Sequence, residues 1–462
     1  MPLFSQDQVL SAVSGRVIVA SPNAFDSVST DTRIISPRAL YFALHGENGN
    51  GHKYIEDAHI KGASGAIIDE SIPGINFRSV TSGDWTLIEV TDTLFALGQL
   101  AKYYRKKFSL PVIGVTGSAG KTTVKEMTAN ILSKEFNTIK SAGNYNNEIG
   151  LPLTLFNLTQ SHERGVVELG MRGFGQIGYL ASIVRPHVAV ITNIGSTHME
   201  IMGSKDNIAT AKSEILEYIT PNGTAVLPYN DEYFDFLKDK LNFSNDVISF
   251  GNSENADVFP QRFMFDNLGR ASFDLNIIGR KTVSVKLSIP GTIQVTNALT
   301  AAAAAAAVGA SVESIKEGLE TYVPDTPRMR LVDGINYSVI VDDTYNANPE
   351  AMSAALNYME KVNVKGRKIV VLGDMLELGS IAAKSHFDMG EKAKRVGIDI
   401  ILTVGELAKN YDEGFGEGSF HFNDNNSLID YIKSILIPGD IVLIKGSHSM
   451  DLGTVVSELN RK

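Results

Sequence analysis

Residues 112–123, Val-Ile-Gly-Val-Thr-Gly-Ser-Ala-Gly-Lys-Thr-Thr, constrain this chain more than any other stretch. The apolar, β-branched run at 110–115 predicts a buried strand. A turn of small residues follows at 117–120. Residues 121–135 then carry Val124, Met127, Ile131 and Leu132 at the spacing of one helical face. Strand, glycine turn and helix together build a phosphate cradle, because N–H groups of the turn and the helix start converge on one spot. The candidate nucleotide-binding residues are therefore Thr116, Gly117, Ser118, Ala119, Gly120, Lys121, Thr122 and Thr123. Lys121 brings a full charge for the β- and γ-phosphates of ATP, and Thr122 a hydroxyl for Mg²⁺. The general phosphate-loop pattern wants a glycine five residues before Gly120, where this chain has Val115. An ordinary glycine-rich turn with a solvated lysine is the competing reading. It leaves unexplained why a strand and a helix both stand where the motif needs them.

A chain of 462 residues is too long for one core, and about three domains are expected. Hydrophobic content of 43% and charged content of 20% fit a globular protein. No apolar run reaches the ~18 residues of a membrane span, and the N-terminus lacks the basic and apolar regions of a signal peptide. Cysteine is absent, which removes disulfides, thiolate metal sites and a cysteine nucleophile. A cytoplasmic location is expected. A net charge of −10 argues against nucleic acid as a partner, while leaving room for a local basic site that holds an anionic small molecule. A monomer is the expected state.

The rhythm of the chain predicts an α/β protein of three domains, at 1–108, 109–323 and 324–462. The first alternates short strands (39–44, 66–69, 86–90) with a helix at 93–107 that ends in Lys102, Arg105, Lys106 and Lys107, the charge that complements a helix dipole. Ser109-Leu110-Pro111 marks the first boundary and Pro324-Asp325-Thr326-Pro327 the second. The central domain has strands expected at 165–169, 188–194 and 224–227, a mostly parallel sheet, and a helix at 207–219. The C-terminal domain shows a Rossmann-like βα alternation, with strands at 337–342, 368–372, 400–404 and 440–444. Glu168 ends a buried strand, where an open parallel sheet puts its ligand groups. An unpaired buried carboxylate is unfavourable, so a metal ion or a nearby base is expected beside it. His198 also stands at a strand end. Lys212 falls beside an apolar helical stripe, where a snorkelling lysine is the plain reading.

Five stretches together resemble the Mur ligases: Thr-Gly-Ser-Ala-Gly-Lys-Thr-Thr at 116–123, Gly-Asn-Tyr-Asn-Asn-Glu-Ile-Gly-Leu-Pro-Leu at 143–153, Val-Glu-Leu-Gly-Met at 167–171, Asp-Asp-Thr-Tyr-Asn-Ala-Asn-Pro at 342–349 and Leu-Gly-Asp-Met-Leu-Glu-Leu-Gly at 372–379. With Ser-Thr-Asp-Thr-Arg at 29–33 the resemblance spans nearly the whole chain. It is most specific, at 342–349 and 146–150, to the branch that joins D-alanyl-D-alanine to UDP-N-acetylmuramoyl-tripeptide. That resemblance implies an ATP-dependent, Mg²⁺-using amide ligase of peptidoglycan precursor synthesis. It implies that Thr122 and Glu168 hold one Mg²⁺, that His198 helps to hold a second, and that Lys212 becomes a metal ligand after carbamylation by CO₂. It places Asn297 near adenine, Arg328 and Asp343 on ATP after closure, and Ser29, Thr30, Asp31 and Arg33 near uridine diphosphate. Asn144, Asn147, Asn346 and Asn348 are the further substrate-contact candidates. The alternatives are a ligase adding the third amino acid, a folylpolyglutamate synthetase, and a nucleotide-gated binding protein without ligase activity. Two departures stand out: Ile293-Gln294 where the family has His-Asn, and His448 where it has Arg.

Overall fold

The β-branched run ahead of the phosphate loop forms the strand Val112–Thr116, buried at every position, and the sheets of this computed structural model are organised on that pattern of apolar strands. The structure describes residues 3–21, 24–46, 49–69, 85–195, 197, 199–376 and 378–461. These fall into two compact units, residues 1–258 with 300–315, and residues 259–299 with 316–462.

In the first unit, strands β1 (Arg16–Val19), β2 (Ser27–Ser29), β3 (Ala39–Phe42), β4 (Gly65–Asp69) and β5 (Thr86–Val90) make a five-stranded sheet in the order β1-β5-β4-β3-β2. Only the β1–β5 pairing is antiparallel. The helix Thr93–Arg105 then leads to the phosphate-loop strand. Its basic end is more than a solvated run. Arg105 is buried, and its guanidinium donates to the carbonyls of Val184, Phe108 and Leu110 at 3.1, 2.7 and 3.1 Å.

The next strands are β6 (Val112–Thr116), β7 (Thr138–Lys140), β8 (Arg164–Glu168), β9 (Val188–Ile191), β10 (Thr224–Pro228) and β11 (Asp246–Phe250). They run β7-β8-β6-β9-β10-β11, all parallel. Near-continuous Val, Ile and Ala sequences fit strands covered on both faces. The expected helix at 207–219 is an α-helix only over Lys205–Ser213, followed by a 3₁₀ turn over Glu214–Tyr218. The tightening has a partner: the Glu214 carboxylate accepts from the N–H groups of Gly175 and Gly178, at 2.7 and 2.8 Å, and so caps the helix Gln176–Val184.

The strand β12 (Val258–Phe265) begins on the last residue of the first stretch of unit one and otherwise belongs to the second unit, with β13 (Arg270–Ile277) and β14 (Val283–Pro290), which pair antiparallel. Its main sheet has β15 (Arg330–Asp333), β16 (Val339–Asp342), β17 (Lys368–Gly373), β18 (Ile400–Val404), β19 (Ser419–Phe422) and β20 (Ile441–Lys445), in the order β15-β16-β20-β17-β18-β19. All pairs but β15–β16 are parallel. Open parallel sheets of this kind put their ligand groups at the carboxyl ends of the strands. No helix among the described residues is long and apolar enough to cross a membrane.

Candidate active site

The turn after β6 needs its glycines. Gly117 has φ +145, and a Cβ there would stand 1.9 Å from Thr192 Oγ1. Gly120 has φ +81 and caps the helix Lys121–Leu132, which directs its first-turn N–H groups at the turn's mouth. The far wall comes from the segment after β9. The Asn193 carbonyl accepts from Ser118 N–H at 3.1 Å, and Asn193 Oδ1 accepts from Ala119 N–H at 3.0 Å. These two loop N–H groups are therefore already bonded, which leaves the helix start as the anion-facing part of the cradle. Ser118 Oγ is likewise engaged, donating to the Gly195 carbonyl at 3.2 Å and accepting from its N–H at 2.8 Å. Thr116 is buried beneath the turn, and its hydroxyl has no hydrogen-bond partner among the described residues. Lys121 Nζ curls back onto the Gly117 carbonyl at 2.8 Å.

The carboxylate at the end of β8 meets the helix start. Glu168 is 2% exposed. Thr122 Oγ1 donates to its Oε2 at 2.9 Å, and Asn146 Nδ2 to its Oε1 at 2.8 Å. Its own N–H donates to Ser141 Oγ at 3.1 Å. Among the described residues these partners include no base. Hydroxyl and carboxylate oxygens suit a small, hard divalent cation. Among the described residues no group of three or more His, Asp or Glu gathers around one point. His198 lies outside the described residues.

Lys212 does not snorkel. It is 2% exposed, and its amine makes no hydrogen bond or ion pair among the described residues. Burial, with the nearby Lys121 charge, pushes its ammonium down to about 7. Its stem lies beside the apolar stripe in sequence, but the helix is covered on that side too: Ile208, Ala209, Ala211, Lys212 and Ser213 are all buried.

A second feature adjoins this one within the same unit. A cleft of about 530 Å³ is lined from one side by Asp26, Ser29, Thr30 and Asp31 and from the other by Asn144, Tyr145 and Asn147. Five of the substrate-contact candidates meet there. Arg33 does not line it; its guanidinium forms a two-toothed pair with Asp31, Nε to Oδ1 at 3.0 Å and Nη2 to Oδ2 at 2.6 Å. The Arg33 guanidinium holds the Asp31 carboxyl below the usual range.

In the second unit Asp343 accepts from Lys445 Nζ at 2.7 Å and from Met329 N–H at 3.2 Å. Burial pushes its carboxyl up, and Lys445 opposes that. Lys445 Nζ also donates to the Asn346 carbonyl at 2.8 Å. Arg328 lies over the Tyr345 ring, 4.2 Å from its centroid, and Tyr345 also neighbours His448 at 6.5 Å between centroids. Asn348 caps the helix Pro349–Lys361, accepting from Ala351 N–H at 2.8 Å. Asn297 is buried and donates to Gln294 Oε1 at 2.9 Å, so one of the two departing residues is what orients it.

Sequence reasoning passes over Ser141, and it gives Asn146, Asn193 and Lys445 no role of their own. Asn146 lies inside the 143–153 stretch, and its position between Asn144 and Asn147 is the only signal it gives.

The Mur ligase middle domain family matches residues 115–305, and the Mur ligase glutamate ligase domain family matches residues 327–448. Over 438 residues, 94% of this chain and 93% of the relative, the chain is 35% identical to UDP-N-acetylmuramoyl-tripeptide–D-alanyl-D-alanine ligase of Escherichia coli (strain K12). Among solved structures it is similar to a crystal structure of MurF from Acinetobacter baumannii, with 33% identity, a TM-score of 0.88 and 99% of each chain covered. It is also similar to the MurF ligase of Thermotoga maritima in complex with ADP, with 26% identity, a TM-score of 0.75, and 94% and 96% of the two chains covered.

Proposed function

The chain belongs to the Mur ligase family, and from that premise we propose that it joins D-alanyl-D-alanine to UDP-N-acetylmuramoyl-tripeptide at the expense of ATP, in peptidoglycan precursor synthesis. The observation that carries the reading to this chain is the Thr122–Glu168–Asn146 group at the mouth of the phosphate loop, beside a cleft lined by Ser29, Thr30, Asp31, Asn144 and Asn147. A carboxylate is a poor acyl donor. Transfer of the γ-phosphoryl group to the terminal carboxylate of the tripeptide makes an acyl phosphate and ADP. The dipeptide amine then attacks the acyl carbon, and the tetrahedral adduct collapses to the amide, expelling phosphate. The protein acts chiefly by positioning and by neutralising charge.

In this reading Lys121 leaves the Gly117 carbonyl to meet the transferring phosphate, and the N–H groups at the helix start bind the phosphate oxygens. Thr122 and Glu168, with His198 in the same set, would hold Mg²⁺, and the cation would neutralise phosphate charge. Lys212, with its ammonium pushed down to about 7, is in part a neutral amine near neutral pH. A neutral amine adds CO₂ and releases one N–H proton to water to give a carbamate, an anionic oxygen group in place of a cation. Asn297, held by Gln294, serves adenine, and Arg328 and Asp343 serve ATP. The functional division at 1–108, 109–323 and 324–462 assigns the UDP end, the nucleotide and the ligase step in turn. The working unit is a single chain in the cytoplasm.

Phosphate release measured with each substrate omitted in turn tests the reading. Release should require ATP, the UDP-tripeptide and D-alanyl-D-alanine together. Turnover with a UDP-dipeptide and a free amino acid, or with a folate and glutamate, would reassign the step, and nucleotide binding without turnover would remove the ligase activity.

Glu168→Gln keeps the shape of the site and removes its charge. Activity should fall on the order of 10²-fold, with part of it restored by raised Mg²⁺, because the lost anion weakens cation binding most. An unchanged Mg²⁺ dependence in a folded variant would make Glu168 a structural group.

A further inference from the structure

The loop at 143–150 belongs to both features of the site at once. Asn144, Tyr145 and Asn147 line the cleft, while Asn146 donates to Glu168. Its path is fixed at several points. Gly170 N–H donates to the Asn146 carbonyl at 2.8 Å, and Asn147 Oδ1 accepts from Gly150 N–H at 2.8 Å. Gly150 is so close that a Cβ there would stand 2.5 Å from Tyr145 Cα. The base of the loop is held by Lys125, whose Nζ donates to the Gly143 carbonyl at 2.9 Å. Gly143 has φ +44, a conformation that suits glycine.

Lys125 stands one helical turn beyond Lys121 and Thr122 on the helix Lys121–Leu132, so its stem rises from the same face as Lys121. It is 0% exposed.

We propose that Lys125 is a positioning residue that couples occupancy of the UDP-tripeptide cleft to the order of the phosphate site, by tying the base of the 143–147 loop to the helix that carries Lys121 and Thr122. This rests on the reading of the cleft given above. Substrate in the cleft bears on Asn144 and Asn147. The loop is held too tightly to yield at one residue, so Asn146, and with it a partner of Glu168, moves with them. Lys125 passes the same displacement to the phosphate-loop helix. Coupling of this kind is a free energy and is reciprocal: each ligand tightens the other by one factor.

The test uses the full chain, a non-hydrolysable ATP analogue and UDP-N-acetylmuramoyl-tripeptide, followed by calorimetry and by steady-state kinetics. In the wild type the peptide should tighten the analogue on the order of tenfold. Lys125→Met should bind the analogue alone within about twofold of wild type, lose that tightening, and show a KM for the UDP-tripeptide raised on the order of tenfold. Lys125→Arg, which keeps a donor, should recover most of the coupling. A merely structural lysine would lower thermal stability and weaken every ligand together. A folded Lys125→Met with wild-type coupling and KM overturns the proposal, as does a wild type without coupling. Lys125→Gln carries the same two readouts if the methionine variant does not fold. Failure of the wild type to turn over with both substrates would instead reject the ligase reading.

Discussion

Lys121→Ala should lose ligase turnover by on the order of 10³-fold or more in a protein that still folds, since one preorganised charge on a transferring phosphoryl group is worth that much. The side chain is half-buried at the loop's mouth, where its amine donates to the carbonyls of Gly117 and Ser118. Truncation removes no core volume. The turn keeps its shape through Gly117, Gly120 and the Asn193 contacts, so thermal stability should stay within a few degrees of wild type. Circular dichroism and a thermal melt establish the fold, and phosphate release establishes the loss. Turnover near wild type in the folded variant would sink the phosphate-loop assignment.

Lys212→Met should move stability and activity in opposite directions. Its ammonium is pushed from 10.5 down to about 7, so between those values the unfolded chain binds a proton that the folded chain does not. Stability from this group therefore rises with pH across that window. Below pH 7 the burial penalty is complete; above 10.5 it is gone. Each pH unit of that window is worth about 1.4 kcal/mol, so the penalty in acid is on the order of 5 kcal/mol. Methionine fills similar space without charge, so the melting temperature of the ligand-free protein should rise by several degrees below pH 7, with the gain shrinking as pH climbs towards 10.5. Turnover should fall on the order of 10²-fold or more, the signature of a site that holds a destabilising group for its chemistry. A variant that gained no stability, or kept full turnover, would show that Lys212 serves the fold alone.

What could be read from the sequence was local. Strand, turn and helix around Lys121 lie within one short stretch, and their periodicities and glycines stand in order there. The parallel sheets followed from the alternation of strand and helix signals along the chain, as at 368–372 and 400–404. The partners of the site were not local. Glu168 finds Thr122 across 46 residues and Asn146 across 22, and Asp343 finds Lys445 across 102. Composition and periodicity carry no signal for such pairs; only the family resemblance joined Thr122 to Glu168, and nothing joined Glu168 to Asn146 or Asp343 to Lys445. Lys212 was misjudged for a related reason: periodicity tells which face of a helix is apolar but not how many neighbours cover it. The helix expected at 207–219 tightens at Glu214 because that carboxylate is spent on the N–H groups of Gly175 and Gly178, a contact that helix propensity cannot foresee.

Arg105 bears on how this protein can be taken apart. It belongs to the first stretch of sequence, yet its guanidinium ends on the carbonyls of Val184 and Leu110, both beyond residue 108. A cut between residues 108 and 109 would separate the donor from both acceptors and leave buried carbonyls without their cation. The N-terminal sheet is thus no detachable module. Exchanging it between relatives would have to carry the helix Thr93–Arg105 and its landing points on the next segment as a single inherited piece.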